Sequence, residues 1–426
     1  MSTTSSNSSN ASGSLTPPYP PPMDSDAAAS TPASAAYEIR EYKSFDDMGL
    51  DDKILRGIYS FGFEKPSPVQ EKAIVPIMQG HDLLAQAQSG TGKTGAFLIG
   101  GISRIDTTKN EVQMVVISPT RELADQTAKV ARGIGEYIGL RTHTATGGPP
   151  VSSDIEVIRQ SGMKAPHVPH LLLATPGRLY DLINRKVLST NSIKVLVLDE
   201  ADQMLEARFR EQVLCILNLG WPKSTQIALL SATMTPEVVE VTKKLLRDQV
   251  EILLEPEQVT LEGIKQWCVF TPEEAKLDTL CDIYDFLNLT QSVIFVNTRP
   301  KAEQLADQMR RRGFDLDYIH GDMDVEERRR RMADFRVGKC RVLISTDLLA
   351  RGIDIQQLSI VINYELPLNK ENYVHRIGRS GRFGRKGASI NLIGSERERI
   401  NQEAIESYYS VKVKDLPMDP SLIYKD

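Results

Sequence analysis

The sequence predicts an α/β protein of two tandem domains, each built on a parallel β-sheet and joined by a short flexible linker. Three observations support this fold class: the chain has 426 residues, short apolar runs alternate in it with helix-forming segments, and this alternation starts again after residue 262. A chain of this length exceeds one ordinary hydrophobic core. Alternating strand and helix patterns are typical of βαβ units and parallel sheets.

The first segment, residues 1–36, consists mainly of Ser, Thr, Pro and Ala and contains almost nothing to bury. Such a composition cannot offset the entropy lost on folding, so we expect a disordered tail. The region 37–251 is predicted as the first domain. Its strand-length apolar runs are HDLLAQA, VQMVVISPT, LLLATP, KVLVLDE and TQIALLSAT.

The charged stretch EPEQVTLEG places the predicted linker at residues 252–262, and residues 263–426 are predicted as the second domain. The strands expected there are SVIFVNT, FDLDYIH, CRVLIST, SIVINYE and ASINLIG. Helical segments such as KAEQLADQMRRR lie between them. A cleft between two domains of this kind is a natural ligand site.

The bulk composition limits the classes of partner and compartment. The net charge of -5 argues against nucleic acid for the chain as a whole, but Arg is dense between residues 299 and 385, which allows a local basic groove. Four widely spaced cysteines without a C-x-x-C pair indicate a reducing compartment. No apolar run reaches the length of a membrane span, so no membrane partner is expected.

The segment AQSGTGKT, residues 87–94, predicts a phosphate-binding loop because it follows an apolar strand and precedes an apolar helix. In such a loop Gly90 and Gly92 let backbone amides close around phosphate oxygens, Lys93 reaches the β and γ phosphates, and the Thr94 hydroxyl ligates Mg²⁺. The alternative is a glycine-rich loop without a ligand. The apolar strand before the loop and the helix after it favour the phosphate-binding interpretation, with ATP as the cofactor.

The carboxylates Asp199, Glu200 and Asp202 follow the apolar run VLVL and permit two interpretations. They could form the first turn of the next helix, where negative charge suits the helix N-terminus. Alternatively, Asp199 holds Mg²⁺ and Glu200 orients the attacking water of a phosphate-transfer enzyme. The upstream phosphate loop favours the second interpretation, in which Asp202 couples the site to other residues.

The DEAD sequence at 199–202, together with AQSGTGKT, resembles the DEAD-box RNA helicases, and the resemblance covers nearly all of residues 40–426. It implies two RecA-like domains and an ATP-dependent RNA helicase. GFEKPSPVQ resembles the Q motif of the family, which implies that Gln70 reads the adenine edge, with Phe63 and the upstream aromatic Phe45 nearby. The implied nucleotide-binding set is Phe45, Phe63, Gln70, Ala87, Gln88, Ser89, Gly90, Thr91, Gly92, Lys93, Thr94 and Asp354.

The same resemblance assigns roles to motifs in both domains. The implied catalytic set is Lys93, Asp199, Glu200, Arg379 and Arg382, with Thr94 and Asp199 as the Mg²⁺ ligands. The implied RNA-binding set is Pro119, Thr120, Arg121, Gly147, Gly148, Thr175, Gly177, Arg178, Asn297, Thr298, Arg299 and Thr346. The implied coupling set is Asp202, Ser231, Thr233, His375 and Arg376.

DLLARGIDIQQLSIVINYELP and NKENYVHRIGRSGRFGRKG are most similar to the translation-initiation members of the family. This implies sequence-independent RNA binding, a scaffold partner of the initiation-factor 4G type, a monomer and a cytoplasmic location. The alternative is an ATP-gated RNA clamp or assembly platform in splicing-linked complexes or ribosomal RNA processing, with a nuclear location. A generic P-loop kinase or transporter ATPase would leave the second domain unexplained. ERRRR at 327–331 is interpreted as a solvated helix face.

Overall fold

Two parallel β-sheets, each of seven strands, organise the residues that the computed structural model describes. The described residues are 37–87, 90–159, 168–205, 209–253, 264–287, 289, 291–347, 358, 360–380 and 387–423. The predicted tail 1–36 lies outside them. The predicted fold class, two tandem parallel-sheet domains, is confirmed.

The first sheet has the strand order β3-β4-β2-β5-β6-β1-β7, and every pairing in it is parallel. The strands are β1 (Leu83–Gln86), β2 (Met114–Ile117), β3 (Thr142–Ala145), β4 (Leu171–Ala174), β5 (Val195–Leu198), β6 (Gln226–Ser231) and β7 (Val250–Leu253). The helices of this part are α1 (Asp52–Phe61), α2 (Pro68–Gln79), α3 (Lys93–Ile102), α4 (Arg121–Ile134), α5 (Val151–Arg159), α6 (Pro176–Asn184), α7 (Ala201–Met204), α8 (Arg210–Leu217) and α9 (Pro236–Leu245).

The second sheet has the order β10-β11-β9-β12-β13-β8-β14, again with parallel pairings. Its strands are β8 (Ile264–Phe270), β9 (Ser292–Phe295), β10 (Leu316–Ile319), β11 (Val342–Ser345), β12 (Ile360–Asn363), β13 (Gly387–Ile393) and β14 (Lys414–Asp415). The accompanying helices are α10 (Lys276–Leu287), α11 (Arg299–Arg311), α12 (Val325–Arg336), α13 (Lys370–Ile377) and α14 (Glu396–Tyr409).

The central strands are buried along their whole length, because helices cover both faces of a parallel sheet. All four residues of β2, β4 and β5 are buried, and so are those of β9, β11 and β12. The carboxyl ends of parallel strands meet at one edge of a sheet, where open α/β sheets bind their ligands. Residues that directly follow the central strands are therefore brought together.

The predicted linker begins inside an element, since Ile252 and Leu253 are the last residues of β7. Residues 254–263 lie outside the described part of the chain, so the domain limits 37–251, 252–262 and 263–426 stay predictions. Within the described ranges, no helix combines the length and apolar character that crossing a membrane requires.

Candidate active site between the two sheets

The loop between β1 and α3 has the backbone geometry of a phosphate-binding loop. Gly90 and Gly92 have φ angles of +87° and +99°, a region that residues with a Cβ rarely adopt. The helix begins at Lys93, whose side chain is buried, and Thr94 follows in its first turn. Free N–H groups at a helix N-terminus attract anions. Gln88 and Ser89 of the predicted loop lie outside the described residues.

Gln70 fixes this loop from the side. Its amide Nε2 donates to the Gly92 carbonyl at 3.0 Å, and its Oε1 accepts from the Ser67 backbone N–H at 3.0 Å. A Cβ at Gly92 would lie 2.6 Å from Ser67 Oγ, so a larger residue there would collide with the start of α2. The Q-motif glutamine and the phosphate loop are therefore one packed unit.

The predicted aromatic pair of the nucleotide site has a packing role in this structure. Phe45 is fully buried, and its ring meets those of Tyr59 and Phe63 edge-on at centroid distances of 6.2 and 6.4 Å. Aromatic pairs prefer this edge-to-face arrangement. The contact of Phe45 and Phe63 with a base stays a prediction.

The three carboxylates after β5 are buried at the start of α7, where Glu200 is the N-cap residue and Asp202 lies in the first turn. The interpretation as a first helical turn is thus confirmed for Asp202, although none of the three acids faces solvent. Asp199, Glu200 and Asp202 are 2%, 3% and 3% exposed. Glu200 has a φ of +55°, a left-handed conformation that costs free energy in a residue with a side chain. Its Oε1 lies 3.7 Å from Lys93 Nζ. The turn thus directs a carboxylate at the lysine of the phosphate loop.

Burial, and then the neighbouring Glu200 charge, raise the pKa of Asp199 from its ordinary value of 3.8 to about 7. Lys93 opposes this shift. A cation beside this carboxylate would favour its ionised form. Carboxylate and hydroxyl oxygens, as on Asp199 and Thr94, are the hard ligands that Mg²⁺ prefers, so the residues present fit that ion.

His375 of α13 reaches the same cluster from the second sheet. Its Nε2 donates to Asp202 Oδ2 at 3.2 Å, and the Thr233 hydroxyl donates to the same oxygen at 2.7 Å. Ser231 Oγ in turn donates to the Thr233 carbonyl. Among the described residues, one ligand atom each from Glu200, Asp202 and His375 lie within 4.8 Å of one another. We interpret this group as a hydrogen-bonded junction of the predicted coupling residues.

Two buried arginines follow His375. Arg376 donates to Asp347 Oδ1 at 2.6 Å, to Asn297 Oδ1 at 2.8 Å and to the Glu365 carbonyl at 2.7 Å, so it ties together three loops of the second sheet. Arg379 donates from Nε to the His375 carbonyl at 3.0 Å. The predicted catalytic Arg382 and the predicted ribose contact Asp354 lie outside the described residues.

The predicted RNA-binding residues of the first domain lie together at the carboxyl ends of three adjacent strands. Pro119–Arg121 follows β2, Gly147 and Gly148 follow β3, and Thr175–Arg178 follows β4. Thr120 caps α4 by accepting from the Leu123 backbone N–H at 3.3 Å. The Arg121 guanidinium lies close to both glycines, since a Cβ at Gly148 would be 2.4 Å from its Nη1.

In the second sheet, Asn297–Arg299 follows β9 and Thr346 follows the adjacent β11. Thr298 caps α11 by accepting from the Lys301 N–H, and Arg299 pairs with Asp322. The Asn297 side chain is engaged by Arg376 and by the Leu366 carbonyl. These predicted RNA contacts therefore lie at the carboxyl edge of the second sheet, and their function stays a prediction.

The interpretation of ERRRR as a solvated helix face is wrong for two of its arginines. Arg328 is 7% exposed, and its Nε lies 2.6 Å from Glu122 Oε1 on α4 of the first domain. Arg331 stacks 4.5 Å from the centre of the Tyr318 ring. Arg329 and Arg330 are exposed, as expected. The charge pattern did not reveal Glu122 or Arg328, because their pairing depends on how two distant elements meet.

Comparison with protein-family models gives two matches. Residues 67–241 match the DEAD/DEAH box helicase model, and residues 275–384 match the helicase conserved C-terminal domain. Among curated proteins, the chain is 49% identical over 377 residues to the ATP-dependent RNA helicase eIF4A of Chaetomium globosum, covering 88% of this chain and 93% of that protein. It is 50% identical to eukaryotic initiation factor 4A of Drosophila melanogaster, covering 88% and 91%.

Solved structures give the same result. Dbp5 of S. cerevisiae bound to RNA and ADP BeF3 is 33% identical and superposes with a TM-score of 0.82, covering 90% of this chain and 99% of that one. A DEAD box protein of Methanococcus jannaschii is 35% identical, with a TM-score of 0.53 and coverage of 88% and 100%. The relative placement of the two sheets is thus similar to that in the RNA-bound Dbp5 structure.

Proposed function

The chain belongs to the DEAD/DEAH box helicase family, and on this premise we propose that it is an ATP-dependent RNA helicase that unwinds short RNA duplexes in translation initiation. The observation that carries the proposal is the contact of Asp202 with His375, which joins the acids after β5 to the second sheet. A site made of two halves assembles only when the domains close.

In the proposed mechanism, the backbone of residues 87–92 holds the phosphates of ATP and Lys93 contacts the β and γ phosphates. Gln70 contacts the adenine edge, and Asp354 the ribose. Glu200, held by its left-handed backbone close to Lys93, orients the attacking water. The φ angles of Gly90 and Gly92 and the burial of Lys93 and Glu200 support the roles of the loop, of Lys93 and of Glu200.

Thr94 and Asp199 would hold Mg²⁺, which supplies neutralisation of phosphate charge when bound. The burial of Asp199 next to Glu200 supports this assignment, because a cation beside two buried carboxylates would offset their mutual repulsion. Arg379 and Arg382 stabilise the charge that develops on the transferred phosphoryl group. Arginines supplied in this way contribute about 10³ to 10⁵ in rate.

The proposed RNA interface runs along the carboxyl edges of both sheets. Threonine hydroxyls, glycine amides and arginines contact phosphate and 2′-OH groups, so binding is independent of sequence and favours RNA over DNA. Closure of the two edges on one strand would separate a short duplex locally. The similarity to the RNA-bound Dbp5 arrangement supports this geometry.

An ATP-gated RNA clamp is the second candidate function. It is favoured by the buried pair of Glu122 with Arg328, which adds a second contact between the domains away from the acids after β5. A clamp would use the same residues but would release RNA slowly. We further propose a cytoplasmic monomer that works with a scaffold of the initiation-factor 4G type. The names of its relatives, which are initiation factors 4A, support a place in translation initiation.

The first experiment is ATP hydrolysis by the purified chain with and without single-stranded RNA, beside Arg379→Ala and Glu200→Gln variants. We expect RNA to stimulate the parent, and both variants to lose that stimulation. Duplex unwinding and the lifetime of an RNA complex with ADP and beryllium fluoride then separate helicase from clamp. If RNA did not stimulate hydrolysis by the parent, or if Glu200→Gln hydrolysed ATP at the parental rate, the proposal would be contradicted.

A further inference from the structure

A buried carboxylate on α5 bonds to β3 and to α6. An arginine of α6 bonds in turn to the loop after β3, which contains Gly147 and Gly148. Asp154 is 3% exposed. Its Oδ1 accepts from His143 Nε2 on β3 at 2.8 Å, and its Oδ2 accepts from Arg178 Nη1 on α6. Arg178 also donates from Nη2 to the Pro149 carbonyl at 2.7 Å. A charge-assisted chain therefore runs from strand to helix to loop.

Few backbone donors within the loop can fix its conformation. Pro149 and Pro150 have no N–H to donate, so the segment cannot be fixed by backbone hydrogen bonds from these two positions. Its carbonyls are held from outside instead: Arg178 donates to Pro149, while Ser153 donates to Pro150 through Oγ at 2.7 Å and through N–H at 3.2 Å.

The position of this loop matters to both domains. Gly148 has a φ of +105°, and a Cβ there would lie 2.4 Å from Arg121 Nη1 and 3.1 Å from Val325 Cγ2 of α12. Gly148 is thus packed between an arginine of the first domain and a helix of the second. A displacement of the loop by less than 1 Å would disturb both neighbours.

Arg178 belongs to the TPGR motif, for which the sequence predicts RNA contact. The Arg178 side chain is 10% exposed, and both of its Nη atoms are engaged by protein acceptors. Two hydrogen bonds from one planar guanidinium to acceptors on different segments fix it in one orientation, which suits a strut better than an adaptable phosphate ligand.

We propose that Asp154 is a positioning residue for RNA: through Arg178 it holds Pro149, and so aims the Gly147 and Gly148 backbone amides at the RNA phosphates. Arg178 acts as the strut between them, and His143 orients the carboxylate. This inference rests on the proposed RNA-binding function of the loop. It assigns to Asp154 and His143 a role that their own motifs do not indicate.

The test is steady-state ATP hydrolysis by the full chain, with the concentration of single-stranded RNA varied at saturating ATP. Asp154→Asn keeps the size of the side chain and removes its charge. We expect the KM for RNA to rise about tenfold, with kcat at saturating RNA and the KM for ATP unchanged within about twofold. Glu156→Gln is the matched control, because it removes the same charge from an exposed position of α5.

A double-mutant cycle separates a strut from an independent ligand. Arg178→Lys keeps the charge but cannot bridge Asp154 and Pro149. If Asp154 acts only through Arg178, the double variant has the same KM for RNA as the single variant with the higher KM. Multiplied effects would mean that the two residues act independently and would overturn the proposal. Asp154→Glu, which retains the charge, should recover part of the RNA affinity.

The outcomes for the two proposals are distinguishable. A parent that RNA does not stimulate contradicts the proposed function itself. A stimulated parent beside an Asp154→Asn variant with the parental KM for RNA contradicts only the positioning role. If Asp154→Asn lost both kcat and the thermal stabilisation by ADP, the residue would have a general structural role. This result would also overturn the inference.

Discussion

Asp202 Oδ2 lies 3.2 Å from His375 Nε2, although the two residues are 173 positions apart in the chain. Thr233 donates to the same carboxylate oxygen. One oxygen of Asp202 therefore contacts both the second domain and the segment after β6. Both side chains of the pair are almost completely buried. A hydrogen bond to a buried charge is stronger than one in water, and its loss is costly.

Asp202→Asn should lower RNA-stimulated kcat about tenfold or more, since the variant loses the charge that accepts from His375 and Thr233. Affinity for ADP without RNA should stay at the parental level, because the second domain is not needed for the phosphate loop. Asp181→Asn serves as the control, as it breaks an exposed pair between Asp181 of α6 and Arg185, the residue that follows this helix. Parental kcat in Asp202→Asn at saturating RNA would refute a coupling role.

Glu122→Gln should weaken closure of the domains. In the closed arrangement Glu122 and Arg328 face each other at 2.6 Å and are largely buried, and a buried charge without its partner carries a large desolvation cost. We expect the affinity for RNA in the presence of ADP and beryllium fluoride to fall about tenfold to hundredfold. Fluorescence anisotropy of labelled RNA measures this.

The control for that variant lies on the partner helix. Glu326→Gln removes a carboxylate from α12 whose side chain is 76% exposed and pairs with Arg329. Exposed pairs of this kind contribute little, so RNA affinity should be unchanged. Equal effects of the two variants would show that only net charge matters, and that the contact between α4 and α12 does not.

The sequence predicted the fully buried central strands and the edge strand β10, but it missed β3 at the edge of the first sheet and β8 between β13 and β14. Runs such as MVVI and VLVL are apolar throughout because both faces of β2 and β5 are buried, and that pattern is visible without a structure. Strand β3, THTA, is largely polar and only half-buried. Strand β8 begins two residues after the predicted linker, and five of its seven residues are half-buried. Neither strand is apolar throughout.

The candidate site shows the same division. Residues that directly follow buried strands, such as Asp199 and Glu200, could be located from the sequence because the strand fixes where they lie, and their catalytic roles stay predictions. Asp154 and Arg328 could not be assigned, since each acquires its role from a residue on another element. An acid on a short helix and an arginine in a charged run carry no local signal of their partners.

Arg331→Ala should destabilise the second domain, whereas Arg330→Ala should not. Arg331 packs on Tyr318, donates to its carbonyl at 3.0 Å and is 15% exposed. Loss of the cation–π contact and of the packed side-chain stem should lower the free energy of unfolding by about 1–2 kcal/mol.

Arg330 is 61% exposed and pairs with Glu327 and Asp334 of its own helix, so its removal should cost within about 0.5 kcal/mol. Urea unfolding monitored by circular dichroism compares the two variants. Similar midpoints for both would restore the interpretation of residues 327–331 as a uniformly solvated helix face.

The pH dependence of stability should reveal the buried Asp199. Its pKa is about 7 in the folded chain, raised from an ordinary 3.8 by burial and by Glu200. Between these two pH values the folded state binds more protons than the unfolded state, so the free energy of unfolding falls as pH rises. This penalty is absent below about pH 4 and complete above pH 7.

Asp199→Asn is neutral at every pH and avoids this penalty. Without nucleotide or Mg²⁺, the variant should therefore unfold at a higher temperature than the parent at pH 8, by about 2–4 °C for each kcal/mol relieved, and the gap should narrow as pH falls towards 4. Differential scanning fluorimetry from pH 5 to 8 measures the gap. Addition of Mg²⁺ and ADP should stabilise the parent more than the variant, because the ion favours the ionised carboxylate. A gap that is constant across this pH range would mean that the Asp199 carboxylate titrates normally and that burial does not control its charge.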